Sequence, residues 1–365
     1  MGNKTFISCF TEFDTGGLGR YIAQLVREAD AEGRLGHYFA KTTRPGDEKG
    51  SVVIPKKLGF YFRIPGIRGS LGLKDYFGGH FFDQAVSQLV KQKGAVDWFH
   101  GFNGKVHESF LAARACGANK LILESANSHL NNVAAQHQLA YKACPIEDTW
   151  LHEWQRRKAL KEYELADEIF VASEYSKQSF IDAGVAESKI KFRKFQLSKR
   201  YENLWIQEKS NAEFRIIFIG RVDITKGVHI LREALQMLDI KNIKLIVLGG
   251  TTTRGMNRYI KEWVQEDSRV SCYYGDPGKE LPLADVMVHP TYEDGFALAP
   301  LEAICCGVPV VVTDHTGMKD YVEEGKNGYV IPAGDAKSLA ERIRQIHLKP
   351  LRGRFAKPEG IIDKR

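Results

Sequence analysis

The chain has 365 residues, which suits two domains of ordinary α/β size and is too long for a single disulfide-stapled module. Hydrophobic residues at 43% and charged residues at 27% are the proportions of globular domains, so a disordered or fibrous chain is excluded. The net charge of +7 falls entirely on residues 1–200, while residues 201–365 sum to zero. Beyond ordinary charge scatter, such asymmetry points the first half toward an anionic partner: nucleic acid, a membrane surface or a phosphorylated substrate.

Six cysteines (Cys9, Cys116, Cys144, Cys272, Cys305 and Cys306) show neither C-x-x-C spacing nor a disulfide framework, which fits a reducing cytoplasm. The N-terminus lacks the apolar core of a signal peptide, and Phe6 stands where a myristoylation signal needs Ser or Thr. No apolar run approaches the ~18 residues that span a bilayer. The expectation is a cytoplasmic protein, or one that touches the cytoplasmic face of a membrane peripherally.

In chain order, the first half predicts strands at 5–10, 37–42, 96–99, 120–124 and 168–173, with helices at 19–32, 82–93, 108–116 and 149–166. A second series predicts strands at 214–220, 244–248, 270–273, 286–289 and 308–313, with helices at 227–238, 258–267, 299–305 and 336–346. This alternation is that of βαβ units and parallel sheets. The charged stretch 191–212 reads as a linker, giving domains at 1–200 and 201–365.

Residues 54–80 break the pattern, with Lys56, Lys57, Arg63, Arg68 and Lys74 set among Phe60, Tyr61, Phe62 and Ile64 against the single acid Asp75. Basic residues interleaved with aromatics suit an interfacial or lipid-headgroup contact; the other reading is a loop folding its aromatics into the core.

Two strand-to-helix junctions carry chemistry. In the first half, Gly16 and Gly17 lie between a strand and a helix, where backbone N–H groups and the helix N-terminus can approach an anion. The spacing is not G-x-G-x-x-G and no acidic residue follows at the ribose position, which disfavours a nicotinamide site. In the second half, a strand runs into Gly220-Arg221-Val222-Asp223-Ile224-Thr225-Lys226-Gly227, and two cations in one such loop suit a diphosphate. Further on, Glu293-Asp294-Gly295-Phe296-Ala297-Leu298 leads into a helix carrying Glu302, whose carboxylate can accept hydrogen bonds from a diol.

These residues resemble family 4 retaining glycosyltransferases of the GT-B type. The likeness rests on Gly-Arg-x4-Lys-Gly at 220–227, the run from Asp294-Gly295-Phe296 through Leu301-Glu302-Ala303 to Cys306-Gly307-Val308-Pro309, and Thr316-Gly317 and Asn327-Gly328. It is specific over 214–345 and looser in the first half.

The resemblance implies two Rossmann-like parallel-sheet domains facing a central cleft, the first binding the acceptor and the second a nucleotide-diphospho-sugar donor. It implies sugar transfer with retention of anomeric configuration to a glycan or lipid-linked acceptor, as in polysaccharide biosynthesis. Arg221 and Lys226 would hold the diphosphate and stabilise the leaving group without a metal or other cofactor, consistent with the lack of a D-x-D motif. Glu302 would bind the ribose, while Asp294 or its neighbour Glu293 and the backbone of Gly295, Phe296 and Ala297, with Leu298 beside them, would face the donor sugar. Gly16 and Gly17 would face the donor phosphate, His100 would match a histidine near the sugar, and His129, Lys56, Lys57, Arg63 and Arg68 are weaker acceptor-side candidates. No nucleic acid is expected.

Four departures from the family stand out: Asp294 in place of a glutamate, no Gly-Val-Asp near 195–197, too little chain between 274 and 284 for a helix, and no closing helical segment after 347. They keep open a nucleotide-sugar epimerase of the same fold and a catalytically degenerate sugar-binding protein.

Overall fold

The computed structural model describes residues 3–55, 58–194, 201, 204, 213–351 and 355. Seven strands, β1 (Thr5–Ser8), β2 (Leu35–Ala40), β3 (Gly50–Val52), β4 (Trp98–Phe102), β5 (Lys120–Ser125), β6 (Glu168–Val171) and β7 (Ile190–Phe192), form a sheet in the order β3-β2-β1-β4-β5-β6-β7. Six more, β8 (Phe214–Ile219), β9 (Ile243–Leu248), β10 (Val270–Tyr273), β11 (Val286–His289), β12 (Val310–Thr313) and β13 (Gly328–Ile331), form a second in the order β10-β9-β8-β11-β12-β13. Both sheets are parallel, as their register pairings show. Parallel neighbours need crossover connections, and the intervening helices supply them.

The chain divides into two compact units: Met1–Ala134 with Trp150–Ala172 and Ser176–Arg193, and Lys194–Arg365 with Ala135–Thr149 and Ser173–Tyr175. The first core gathers Phe6, Phe39, Phe82, Phe99, Phe110, Leu121 and Phe180. The second gathers Ile216, Phe218, Leu245, Val247, Trp263, Val288, Val311 and Ile343, with Ala140 and Cys144 contributed from the earlier stretch of chain.

Several expectations change. Residues 54–80 do not interrupt the helical pattern: Leu58–Tyr61 and Pro65–Gly69 are short helices, and Leu71–Lys93 starts eleven residues before the expected 82. Its start is fixed by Ser70, whose hydroxyl accepts from the Leu73 amide at 3.2 Å. Tyr61 packs on Phe77 and Phe81, as aromatics folding inward would, while Phe60 remains 71% exposed. The supposed linker begins with a strand, β7, paired to β6; residues 195–200, 202, 203 and 205–212 lie outside the described residues, as does the position of the missing Gly-Val-Asp. Between 274 and 284 there is a helix after all, Pro277–Glu280, because Asp276 caps it and proline begins it. Residues 352–354 and 356–365, where the closing segment was in question, also lie outside the described residues.

Candidate active site

In open parallel sheets, ligands bind beyond the carboxyl ends of the strands where the strand order reverses. In the second sheet that point lies between β8 and β11. The loop after β8 carries Arg221 and Lys226, and the loop after β11 carries Glu293 and Asp294, so the two stretches singled out by sequence are the two the topology selects.

The β8 loop is built on Asp223. Its carboxylate accepts from the Lys226 amide at 3.0 Å and the Thr225 hydroxyl at 2.7 Å, capping the 3-10 turn Ile224–Lys226, and also receives the Arg221 guanidinium. Burial pushes this carboxyl up, but Arg221 and these hydrogen bonds outweigh it and hold it below its ordinary value. Gly227 ends the turn at φ +71°, where a Cβ would lie 1.8 Å from the Pro290 carbonyl oxygen. Only glycine lets the two loops approach this closely.

Lys226 joins the loops directly. Its ammonium donates to Asp294 Oδ2 at 2.6 Å and to the Glu293 carbonyl at 3.3 Å. Asp294 Oδ1 accepts from the Phe296 amide at 3.3 Å, and Oδ2 lies 3.3 Å from His289 Nε2. Burial raises the Asp294 carboxyl, yet Lys226 and His289 together hold it far below the usual range, so it is a carboxylate at any working pH. Of the two neighbouring acids, Asp294 is thus the one that meets the lysine, and the Glu293 side chain is buried. Gly295 offers its carbonyl to the Ser173 hydroxyl at 2.6 Å. Ala297 sits at φ +68° as N-cap of the helix Leu298–Cys305, which carries the buried Glu302, and Phe296 packs edge-on against Tyr321.

Sequence reasoning missed three residues here. His289 ends β11 and is buried against Asp294, its protonation disfavoured by burial. His137, pushed down to about 3 by burial, lies close enough to Asp223, Arg221 and Lys226 to feel their charges. Glu147 accepts from the Ile224 amide in the middle of the cation-bearing loop at 2.9 Å. None stands in a recognisable motif; His289 alone had a signal, a polar residue closing an apolar strand.

In the first unit, Gly16 and Gly17 open the helix Gly16–Ala31 and are exposed. His100 does not end a strand, as expected, but sits in the middle of β4. The strand continues through it, paired with β1 and β5, and Glu124 on β5 takes its Nδ1–H at 2.8 Å. Glu124 also accepts from the Tyr21 hydroxyl at 2.6 Å and from Arg193 at 2.5 Å, and His100 Nε2 is buried without a hydrogen-bond partner. Burial raises the Glu124 carboxyl, but Arg193 and His100 bring it down to about 2. His129 is a core residue packed between Tyr163 and Phe180, and burial lowers it to about 4. Arg63 and Arg68 are exposed; Lys56 and Lys57 lie outside the described residues. No helix among the described residues is long and apolar enough to cross a membrane.

Two parallel-sheet Rossmann-like units in one chain are the architecture of the GT-B class of fold. Residues 200–358 match the family model described as glycosyl transferases group 1. Among curated relatives, the capsular polysaccharide biosynthesis glycosyltransferase CapM of Staphylococcus aureus is 28% identical over 198 residues, covering 50% of this chain and 52% of CapM. The chain thus matches about half the length of that relative. Among solved structures, sucrose-phosphate synthase from Thermosynechococcus elongatus superposes with a TM-score of 0.69 at 18% identity, over 97% of this chain and 92% of that one. Anabaena HepE in complex with UDP-glucose superposes with a TM-score of 0.65 at 18% identity, over 94% and 90%. At these identities the superpositions establish the fold.

Proposed function

We propose that this chain is a group 1 glycosyltransferase of polysaccharide assembly, which moves a sugar from a nucleotide-diphospho-sugar to a glycan or lipid-linked saccharide with retention of configuration. The observation that carries the reading is the convergence of Arg221, Lys226 and Asp294 at the sheet's switch point. The match of residues 200–358 to group 1 glycosyltransferases supports it, as does HepE, which has this fold and whose structure holds UDP-glucose.

The chemistry follows from charge. As the anomeric carbon–oxygen bond breaks, negative charge grows on the departing diphosphate, and preorganised cations stabilise it. An ammonium has three N–H donors. In Lys226 two are engaged, by Asp294 and the Glu293 carbonyl, which leaves one for a phosphate oxygen. Arg221 supplies the second charge, and the pair takes the place a metal ion holds in other transferases. Glu302 is assigned the ribose diol, and the backbone from Gly295 to Ala297 the donor sugar.

On the acceptor side, Phe60 and Ile64 stand exposed beside Arg63 and Arg68, which suits a lipid-linked acceptor presented at an anionic membrane. Flotation with anionic vesicles is expected to recover the wild type and to lose a variant with Arg63 and Arg68 neutralised and Phe60 replaced by Ser.

Turnover with UDP-, GDP- and ADP-sugars tests the main reading, with proton NMR of the product reporting its anomeric configuration. Arg221→Ala and Lys226→Ala are each expected to lose about 3 kcal/mol of transition-state stabilisation, roughly a hundredfold in rate. Full turnover in both variants, or no response of the wild type to any nucleotide sugar, would overturn it.

A further inference from the structure

We propose that Glu147 is a positioning residue for the donor diphosphate, a brace that fixes the cation-bearing loop after β8 against the loop after β9. The proposal rests on the donor reading above and adds to it a residue that touches neither donor nor acceptor.

Glu147 stands 77 positions before Ile224, yet its Oε1 accepts the Ile224 amide at 2.9 Å, midway between Arg221 and Lys226. Its Oε2 receives the hydroxyl of Thr253. Thr253 in turn accepts from the Met256 amide at 3.1 Å and caps the helix Arg254–Glu266. One buried carboxylate therefore ties the loop bearing both cations to the first turn of that helix. Strands β8 and β9 are direct neighbours, so these two anchors hold the β8 loop, one of the two switch-point loops, from the side opposite β11.

The fit around Glu147 is close. A Cβ on Gly255 would stand 2.1 Å from the Ile146 carbonyl oxygen, so the backbone carrying Glu147 lies directly on the helix start. Burial raises the Glu147 carboxyl, and the Thr253 hydroxyl and Ile224 amide counter it in part. A buried carboxylate kept only to satisfy itself would be replaced at little cost; one that satisfies an otherwise stranded loop amide would not. The other supports of the loop are Asp223 within the turn, the Tyr292 amide and Thr291 hydroxyl on the Thr225 carbonyl, and, at its start on the β9 side, the Val222 amide on the Gly250 carbonyl at 3.0 Å. Glu147 adds to that backbone contact a side-chain link from the middle of the loop, at Ile224, to Thr253 on the β9 side.

The experiment reads two quantities on the full chain. Amide exchange at Ile224 reports the brace itself, and calorimetric binding of inorganic pyrophosphate, UDP, GDP and ADP reports the position of the cations. In Glu147→Ala, Ile224 exchange is expected to speed at least about tenfold while the interior amides of β8 keep their protection, and diphosphate affinity is expected to fall about tenfold. Glu147→Gln should restore both to near wild type, because its amide oxygen can accept from Ile224 and its NH2 can donate to Thr253. A merely structural carboxylate would show the exchange change with unaltered diphosphate affinity, and that result overturns the proposal, as does unchanged exchange. If the wild type binds none of the four probes, the donor reading fails on its own account. Exchange at Ile224 then decides the brace: loss in Glu147→Ala with rescue by Glu147→Gln sustains it, and protection in both overturns it. Should Glu147→Ala fail to fold, Thr253→Val cuts the second anchor and, with it, the helix cap that the same hydroxyl provides, while leaving Glu147 on the Ile224 amide. It is expected to weaken diphosphate binding several-fold, with restoration by Thr253→Ser, and unchanged binding overturns the proposal.

Discussion

At the scale of single residues, two positions have consequences that can be measured without knowing the substrate. Gly227 is fixed both by its positive φ and by the Pro290 carbonyl, against which any Cβ would collide. Gly227→Ala adds the left-handed cost of about 1 kcal/mol to a backbone clash, so a loss of about 3 kcal/mol or more is expected in urea unfolding. Glu124 gives a pH signature. Its folded carboxyl lies at about 2 against 4.5 for the unpaired group, so between these values the native state binds fewer protons than the unfolded chain. The stabilisation is complete above pH 4.5 and is lost as the pH falls toward 2, a change of about 3 kcal/mol. Unfolding of the wild type and Glu124→Gln at pH 6, 4, 3 and 2 should therefore show the gap between them closing by that amount.

The same scale shows what the sequence makes legible. Arg221, Lys226, Asp294 and Glu302 are readable because each lies in a short loop-to-helix stretch where neighbours in sequence are neighbours in space. Glu147 and His137 are not, because the loop they lie near is far along the chain, 77 positions beyond Glu147 at Ile224, and neither stands in a motif. His100 misleads for a related reason. A histidine after Trp98 and Phe99 looks like the end of a strand; the partner that lets it be buried inside one, the Glu124 carboxylate, lies on the next strand, 24 residues on.

At the scale of elements, strands were the easiest to read and polar helices the hardest. Strands 270–273 and 286–289 stand where the sequence places them: the second is fully buried and apolar up to His289, and the first is a short, half-exposed strand at the edge of the same sheet. The helix Leu130–Ala143 gave no such signal. Its buried stripe of Leu130, Val133, His137 and Ala140 has helical spacing, but the histidine breaks the apolar periodicity that reveals it. The helix Leu298–Cys305 shows the cost of building a site. Its N-cap, Ala297, holds φ +68° and ψ 91°, a region that glycine adopts without strain. Ala297→Gly is therefore expected to stabilise the fold by about 1 kcal/mol in thermal or urea unfolding, even though glycine loses more chain entropy. Destabilisation would show that the alanine methyl is held by packing that outweighs its backbone.

At the scale of the whole molecule, the two sheets follow the two series of apolar runs, but the units are not two consecutive halves of the chain. The second unit takes Ala135–Thr149 and Ser173–Tyr175 from the earlier stretch. Apolar patterning reveals which segments are helices and strands; it does not reveal which core a short segment joins, since that depends on three-dimensional neighbours. Here the borrowed pieces bring specific interactions: Ala140 and Cys144 lie in the second core, Ile146 packs against it, Glu147 holds the Ile224 amide, and the Ser173 hydroxyl holds the Gly295 carbonyl. A fragment comprising residues 194–365 retains the second sheet yet loses all of these. At about 1 kcal/mol for each buried small side chain and each internal hydrogen bond, it should be less stable than the same unit in the intact chain by about 3 kcal/mol or more. Urea unfolding followed by the fluorescence of Trp263, with the one other tryptophan of the fragment, Trp205, replaced by Phe, measures that difference. A synthetic peptide of residues 135–149 added to the fragment should recover part of it, because the peptide carries the core residues and Glu147 together. A fragment as stable as the unit in the full chain, unaffected by the peptide, would show that the borrowed segment is a passenger on a self-sufficient domain.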